Sequence, residues 1–179
     1  MAEAVIDGEG IRPQLVSSRI AVYVWAGTAV IALAIVAFIV GAPIAAAYGH
    51  PAIAAATYKT FSYVCHQIPE RSFHLADHKF AVCSRCTGLY TGFALTSLVY
   101  PLGRSLNRTN TPSRIWLILA ALPLAIDFAL GYFNIWHNTH LSRFSTGALL
   151  SSVAVFFIMP GLIELGLGVT GRFRARTVN

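Results

Sequence analysis

Residues 21–48 contain no charged side chain. An α-helix rises about 1.5 Å per residue, so about 20 apolar residues cross a hydrocarbon core of roughly 30 Å. This run exceeds that length, which fits a tilted crossing or one that continues past the membrane on one side. Three further segments repeat the pattern. Residues 87–103 are shorter but uncharged, and Gly88 with Gly92 forms a small-x-x-x-small seam that lets a neighbouring helix come close. Residues 115–135 are apolar except for Asp127, and residues 144–163 are uncharged up to Glu164. In a bilayer every backbone polar group must be satisfied within its own segment, which favours helices. The expected fold is therefore all-α, a bundle of four transmembrane helices.

Composition points the same way. The chain is 56% hydrophobic and 11% charged, whereas a soluble domain is about 45–50% apolar and about 25% charged. That balance excludes a disordered chain, a collagen-like chain and a disulfide-dense secreted miniprotein, and it argues against a soluble globular fold. A net charge of +6 suggests a nucleic-acid partner in a soluble protein. Here the basic residues lie between the apolar runs, where they set orientation, so the expected partner is the lipid bilayer and no nucleic acid.

Four spans place both termini on one side. Arg12, Arg19, Arg104, Arg108, Arg114, Arg172, Arg174 and Arg176 fall on that side, against Lys59, Arg71, Lys79, Arg85 and Arg143 on the other. The positive-inside rule then puts both termini in the cytoplasm of a plasma (inner) membrane protein. Residues 1–20 read as an N-terminal cytoplasmic tail without the pattern of a cleaved signal peptide. Residues 21–168 form a single membrane domain, and residues 169–179 form a basic cytoplasmic tail. No internal repeat or low-complexity tract interrupts this organisation.

The connection over residues 49–86 carries the chemistry. Its first part, residues 52–65, is helix-compatible, with Tyr58, Phe61 and Val64/Cys65 spaced to form an apolar stripe at the interface. Pro69 interrupts it, and residues 68–82 are polar and rich in histidine, as expected of a folded extracytoplasmic loop. All three cysteines, Cys65, Cys83 and Cys86, lie in this connection together with His50, His66, His74 and His78. The remaining histidines, His137 and His140, lie in the other loop on the same side, either as ligands or as plain loop residues.

Zinc ribbons use two Cys-x-x-Cys knuckles separated by about 15–20 residues. Here Cys83-x-x-Cys86 supplies one knuckle and the dipeptide Cys65-His66 stands in for the other. Thiolates and an imidazole suit tetrahedral zinc, and such a site would order a loop with little apolar core of its own. Adjacent residues on a helix point about 100° apart, so Cys65 and His66 can both ligate only if the helix has ended before them. His74 and His78 are alternative nitrogen ligands, or a solvated interfacial turn. The same cysteines also suit disulfide or thiol exchange, or small buried packing residues.

Asp127 is the other informative residue. A carboxylate inside a transmembrane segment costs roughly 2.5 kcal/mol or more, so it faces the bundle and finds a partner. It lies about 15 Å of helix rise from His137, level with Arg85 and Arg143, which can reach it by snorkelling. The network of Asp127, Arg85 and Arg143 is either a structural ion pair or a proton relay or ligand contact. Pro123 is positioned to kink the same helix.

Cys65-His66-Gln67-Ile68-Pro69-Glu70-Arg71-Ser72-Phe73, followed by Cys83-Ser84-Arg85-Cys86-Thr87-Gly88, resembles the signature of a family of prokaryotic integral membrane proteins classed as a domain of unknown function. The resemblance continues through Asp127 and through Arg143, Thr146 and Gly147, covering about residues 55 to 160. Family members place glycine after the aspartate where this chain has Phe128, which speaks against an open pocket there. The resemblance implies a membrane protein and supports these sites, but it brings no established activity.

Three functions fit these residues. The leading one is a zinc-binding membrane protein in which Cys65, His66, Cys83 and Cys86 close a structural site, acting as a small scaffold or accessory subunit of a larger membrane complex. The second is a membrane thiol-disulfide oxidoreductase built on the Cys-x-x-Cys pair at a helix N-terminus beside Arg85. The third is a metal-dependent membrane enzyme with an open coordination position and Asp127 or a loop histidine as base.

Overall fold

The computed structural model describes residues 11–108 and 110–177. The first part of the expected N-terminal tail and residues 178–179 of the C-terminal tail lie outside the described residues. In chain order the elements are α1 (Ile11–Ala47), α2 (Pro51–Phe61), a 3₁₀ turn (Pro69–Arg71), β1 (His74–Leu75), β2 (His78–Lys79), α3 (Ser84–Gly103), α4 (Ile115–Tyr132) and α5 (His140–Thr177). Among the described residues the protein is all-α apart from one hairpin of two-residue strands. Helices α1 and α5 run on into the segments expected as tails, since a formed helix extends at the gain of one hydrogen bond per added residue.

Among the described residues, three helical stretches are long and apolar enough to cross a membrane: Arg19–Ala47, Ile115–Tyr132 and His140–Val169. Helix α3 has the length but falls outside this group, and its position supplies the reason. It packs one face against α1 and α5, and that buried face is mostly small and partly polar, with Ser84, Thr87, Gly88, Gly92, Ala94 and Ser97, while Leu95, Leu98, Val99 and Leu102 stay exposed. A Cβ at Gly88 would collide with the main chain of Phe144, and one at Gly147 with the carbonyl of Arg85. The glycine seam read from the sequence is thus the place where α3 and α5 meet backbone to backbone.

Helix α1 buries a stripe through Ala29, Ala32, Ile39 and Ala42 and exposes Tyr23, Val30, Ile31 and Phe38. Residues three and four apart share a helix face, so small side chains meet the bundle while large apolar ones face outward, as lipid-facing residues do. Helix α4 is peripheral. It packs on α5, buries only Ala120 and leaves Trp116, Ile118, Leu122 and Ile126 exposed.

Two prolines inside helices do structural work that the sequence reading passed over. Proline lacks an N–H, so the carbonyl four residues earlier loses its helical partner. Pro43 frees the carbonyl of Ile39, which accepts the Ala81 N–H at 3.3 Å and so docks the loop onto α1. Pro101 frees the carbonyl of Ser97, which accepts the Trp25 indole N–H at 2.7 Å and ties α1 to α3. Neighbouring groups that re-satisfy such carbonyls are what allow proline within membrane helices. Trp25→Phe is therefore expected to cost about 1 kcal/mol in detergent unfolding measurements. Tyr23→Phe, at a position 74% exposed, is expected to leave stability unchanged.

The core forms at the two ends of the bundle. Tyr100, Val155, Met159 and Ile163 gather around Ala21 at one end. Ile39, Cys65 and Val82 gather at the other with Phe61, Phe80, Cys83, Cys86 and Tyr90 packed on them. The cysteines belong to this second cluster.

Candidate metal centre

The site is built where α2 ends, the loop folds back and α3 begins. Helix α2 stops at Phe61, earlier than the expected boundary near Cys65, so Cys65 and His66 lie beyond it and their side chains are free of the helical 100° separation. The chain then reverses through Gln67 at φ +52°, a left-handed conformation that costs a non-glycine residue energy. Hydrogen bonds hold that turn. The Gln67 side-chain amide donates to the Tyr58 carbonyl at 2.7 Å, and Lys79 Nζ donates to the Gln67 carbonyl at 2.6 Å. The Tyr58 hydroxyl donates to the Lys79 carbonyl at 2.5 Å, and burial raises the Tyr58 phenol above its ordinary value, keeping it a donor. Ser72, fully buried, donates from Oγ to the Ile68 carbonyl at 2.8 Å. The loop is thereby ordered by polar contacts where apolar burial is scarce.

Cys83 sits at the N-cap of α3 and Cys86 within its first turn. The sulfurs of Cys65, Cys83 and Cys86 all lie within 4.8 Å of one another, and all three cysteines are free. Thiolates at about 2.3 Å from a tetrahedral zinc stand about 3.8 Å apart, so this triangle is of the size such an ion draws together. The Cys65 sulfur accepts the Cys83 N–H at 3.2 Å and the Gln67 N–H at 3.5 Å, backbone donors of the kind that orient and tune a thiolate ligand. Hydrogen bonds from the Cys65 and Cys86 thiols hold the Cys83 thiol well below its ordinary range. Cys65 is buried and the other two are half-buried.

The histidines do not join this triangle. His66 is exposed, as are His74 and His78, and among the described residues the cluster consists of the three cysteines. Residues 74–79 form a hairpin in which His74 pairs with Lys79 and Leu75 with His78. This register places the two histidines on opposite faces, because cross-strand partners share a face and successive residues alternate. Ala76 and Asp77 at φ +51° and +63° turn the chain back, so the two histidines lie in an exposed turn, as expected of a solvated interfacial segment, and do not face one ligand site together. His140 has a part the sequence did not signal. Its Nδ1 lies 2.8 Å from Ser84 Oγ, and its ring packs on Phe73, joining the N-termini of α3, α5 and the loop.

Asp127 pairs with Arg85, whose side chain is 20% exposed against 10% for the aspartate. The Asn138 amide also donates to the Asp127 carbonyl, and the Arg85 guanidinium stands over Phe128, 5.6 Å from the ring centre. Phe128 thus lies against the arginine of the pair while its ring stays largely exposed. Arg143 interacts with Asp127 through electrostatics, and the direct contact belongs to Arg85. Because Arg85 lies between Cys83 and Cys86 in the chain, one residue connects the cysteine cluster to the carboxylate of α4.

These features define a class: a helical membrane protein with a three-cysteine cluster able to hold a metal ion. Residues 65–157 match the family described as "Predicted membrane protein (DUF2085)", and the chain belongs to that family. It is 36% identical over 108 residues to an uncharacterized protein of Methanocaldococcus jannaschii, covering 60% of this chain and 69% of the relative. It is 38% identical over 87 residues to another uncharacterized protein, from Methanothermobacter thermautotrophicus, covering 49% of this chain and 77% of that one. No solved structure matches. The stretch matching the family begins at Cys65 and contains Cys83, Arg85, Cys86, Asp127 and Arg143.

Proposed function

We propose that the protein is a zinc-binding membrane protein whose Cys65, Cys83 and Cys86 thiolates hold the ion as a structural element of the loop, with His66, which lies outside the sulfur triangle, turning in as the fourth ligand when the ion binds. The observation that carries this reading is the convergence of three sulfurs from two distant chain segments within 4.8 Å. The all-sulfur donor set favours zinc over hard cations such as magnesium or calcium. His66 is favoured as the nitrogen donor because it lies next to Cys65 past the end of α2. A closed four-ligand site stabilises a fold and leaves no position for a reacting water.

In this reading α3 crosses the membrane as a fourth span, with its small-residue face against α1 and α5 and Leu95, Leu98, Val99 and Leu102 facing outward. The chain then acts as a small scaffold or accessory subunit of a larger membrane complex, with the outward apolar face of α4 available to lipid or to a neighbouring subunit. Both termini lie in the cytoplasm of the plasma membrane. Reporter fusions after residues 108 and 179 are expected to behave alike, and oppositely to an insertion near His78; the reverse pattern contradicts this orientation.

Elemental analysis of the purified protein, paired with thiol counting under non-reducing conditions, tests the metal reading. About one zinc per chain, with all three thiols recovered once the metal is chelated, supports it. The alternative, a thiol-disulfide oxidoreductase, draws on the same three free thiols and is supported by a metal-free protein that contains a disulfide.

A further inference from the structure

Three arginines come together beside the cysteine cluster with Asp127 among them. Arg85 pairs with Asp127. Arg143, half-buried near the start of α5, is within electrostatic range of Arg71, Arg85, Asp127 and Cys83. Arg71, exposed on the 3₁₀ turn, stands at the solvent edge of the group. Against these three positive groups stand Asp127, already paired with Arg85, the Cys83 thiol, and Glu70 next to Arg71 on the 3₁₀ turn, so the pair at Asp127 leaves Arg143 without a carboxylate of its own. In addition, Nε of Arg85 and Nε of Arg143 are both buried, and neither has a hydrogen-bond partner among the described residues.

A guanidinium carries five N–H donors and no acceptor, and it keeps its charge. Buried donors without partners are expensive, and like charges held together are more so. Helices α3 and α5 both start at this end, at Ser84 and His140, and the partial positive charge of two helix N-termini adds to that of the side chains. The fold has therefore gathered fixed positive charge and unused donors at the cysteine-bearing end of the bundle, where, among the described residues, Asp127 is taken up by Arg85 and Cys83 is the other acidic group within electrostatic range of Arg143.

We propose that Arg71, Arg85 and Arg143 form a binding site for a phosphate-bearing anion, supplied either by a lipid headgroup or by free phosphate. Phosphate oxygens accept several hydrogen bonds in the forked geometry that arginine presents. Arg85 keeps Asp127 on one side and offers its Nε edge, while Arg143 and Arg71 close around the anion from α5 and from the loop. The site stands independently of the identity of the metal.

The test uses the full chain with its metal, purified in a neutral maltoside detergent. One arm titrates inorganic phosphate against chloride at equal ionic strength; the other titrates phosphatidylglycerol against phosphatidylcholine. Thermal unfolding and calorimetric binding are read in both. The protein is expected to be stabilised by at least one phosphate source and by neither control. Arg143→Gln and Arg71→Gln are each expected to weaken binding by about tenfold or more. A response to inorganic phosphate marks a site open to the free anion, and a response to phosphatidylglycerol alone marks a headgroup site; either supports the proposal. No response to either source, or an undiminished response in Arg71→Gln, overturns it. Arg71 is exposed, so that variant is informative even where Arg143→Gln fails to fold. Elemental analysis of the same samples keeps this outcome separate from that of the metal reading.

Discussion

Replacing Cys83 or Cys86 by serine is expected to strip the metal from the protein and to unfold the loop that carries it. Apparent binding free energies at structural zinc sites are about 10–16 kcal/mol, comparable to the whole stability of a small domain at about 5–15 kcal/mol. The loop has few other resources, since its strands are two residues long and its apolar anchor is the small cluster that contains the cysteines themselves. A lost thiolate should therefore cost more than the roughly 10–100-fold in affinity that follows loss of an outer-layer partner. The expected readouts are near-complete loss of bound zinc and rapid proteolysis between residues 62 and 83, with the helices retained. His74→Ala and His78→Ala, at exposed positions, are expected to keep the metal. A Cys83→Ser protein with full metal content and unchanged thermal stability contradicts the assignment.

Asp127→Asn is expected to be the most damaging single change among the membrane helices. It removes the one carboxylate beside Arg85 and leaves a mostly buried guanidinium without its counter-charge, a loss of about 3–5 kcal/mol for buried pairs. The cost should be concentrated on α4, which packs on α5 and is otherwise tied across to α3 by this ion pair. Neutralising the cation as well, in Asp127→Asn with Arg85→Gln, is expected to recover part of the loss, because the double variant no longer buries an unpaired charge. Unfolding measurements of the two single variants and the double variant in one detergent give the coupling energy. Additive losses contradict a direct pair.

The parts of the site that could be read in the sequence are those with strong local or energetic constraints. Asp127 was legible because a carboxylate in an apolar run must be answered, and the set of basic residues at its depth was short. The cysteine cluster was legible because Cys83-x-x-Cys86 is a compact spacing and Cys65 was the remaining thiol. Gly88 and Gly92 announced the α3–α5 contact by their period. Other features depend on contacts between distant segments and leave no local trace. Nothing near Pro43 tells that Ala81, in the loop, will take the carbonyl of Ile39, nor does Pro101 point to Trp25. His74 and His78 read as a solvated interfacial turn, but the hairpin itself was not legible, because Ala76 and Asp77, neither of them glycine, adopt positive φ in its turn. That Arg71 on the 3₁₀ turn comes within electrostatic range of Arg143, on a helix far along the chain, likewise has no local signal.

X-ray absorption at the zinc edge, on the purified full chain, measures the central claim most directly. The account predicts a stoichiometric zinc signal with three sulfur scatterers at about 2.3 Å and one nitrogen at about 2.0 Å, the three sulfurs belonging to Cys65, Cys83 and Cys86. A protein without bound metal, or a zinc shell made only of nitrogen and oxygen, contradicts it.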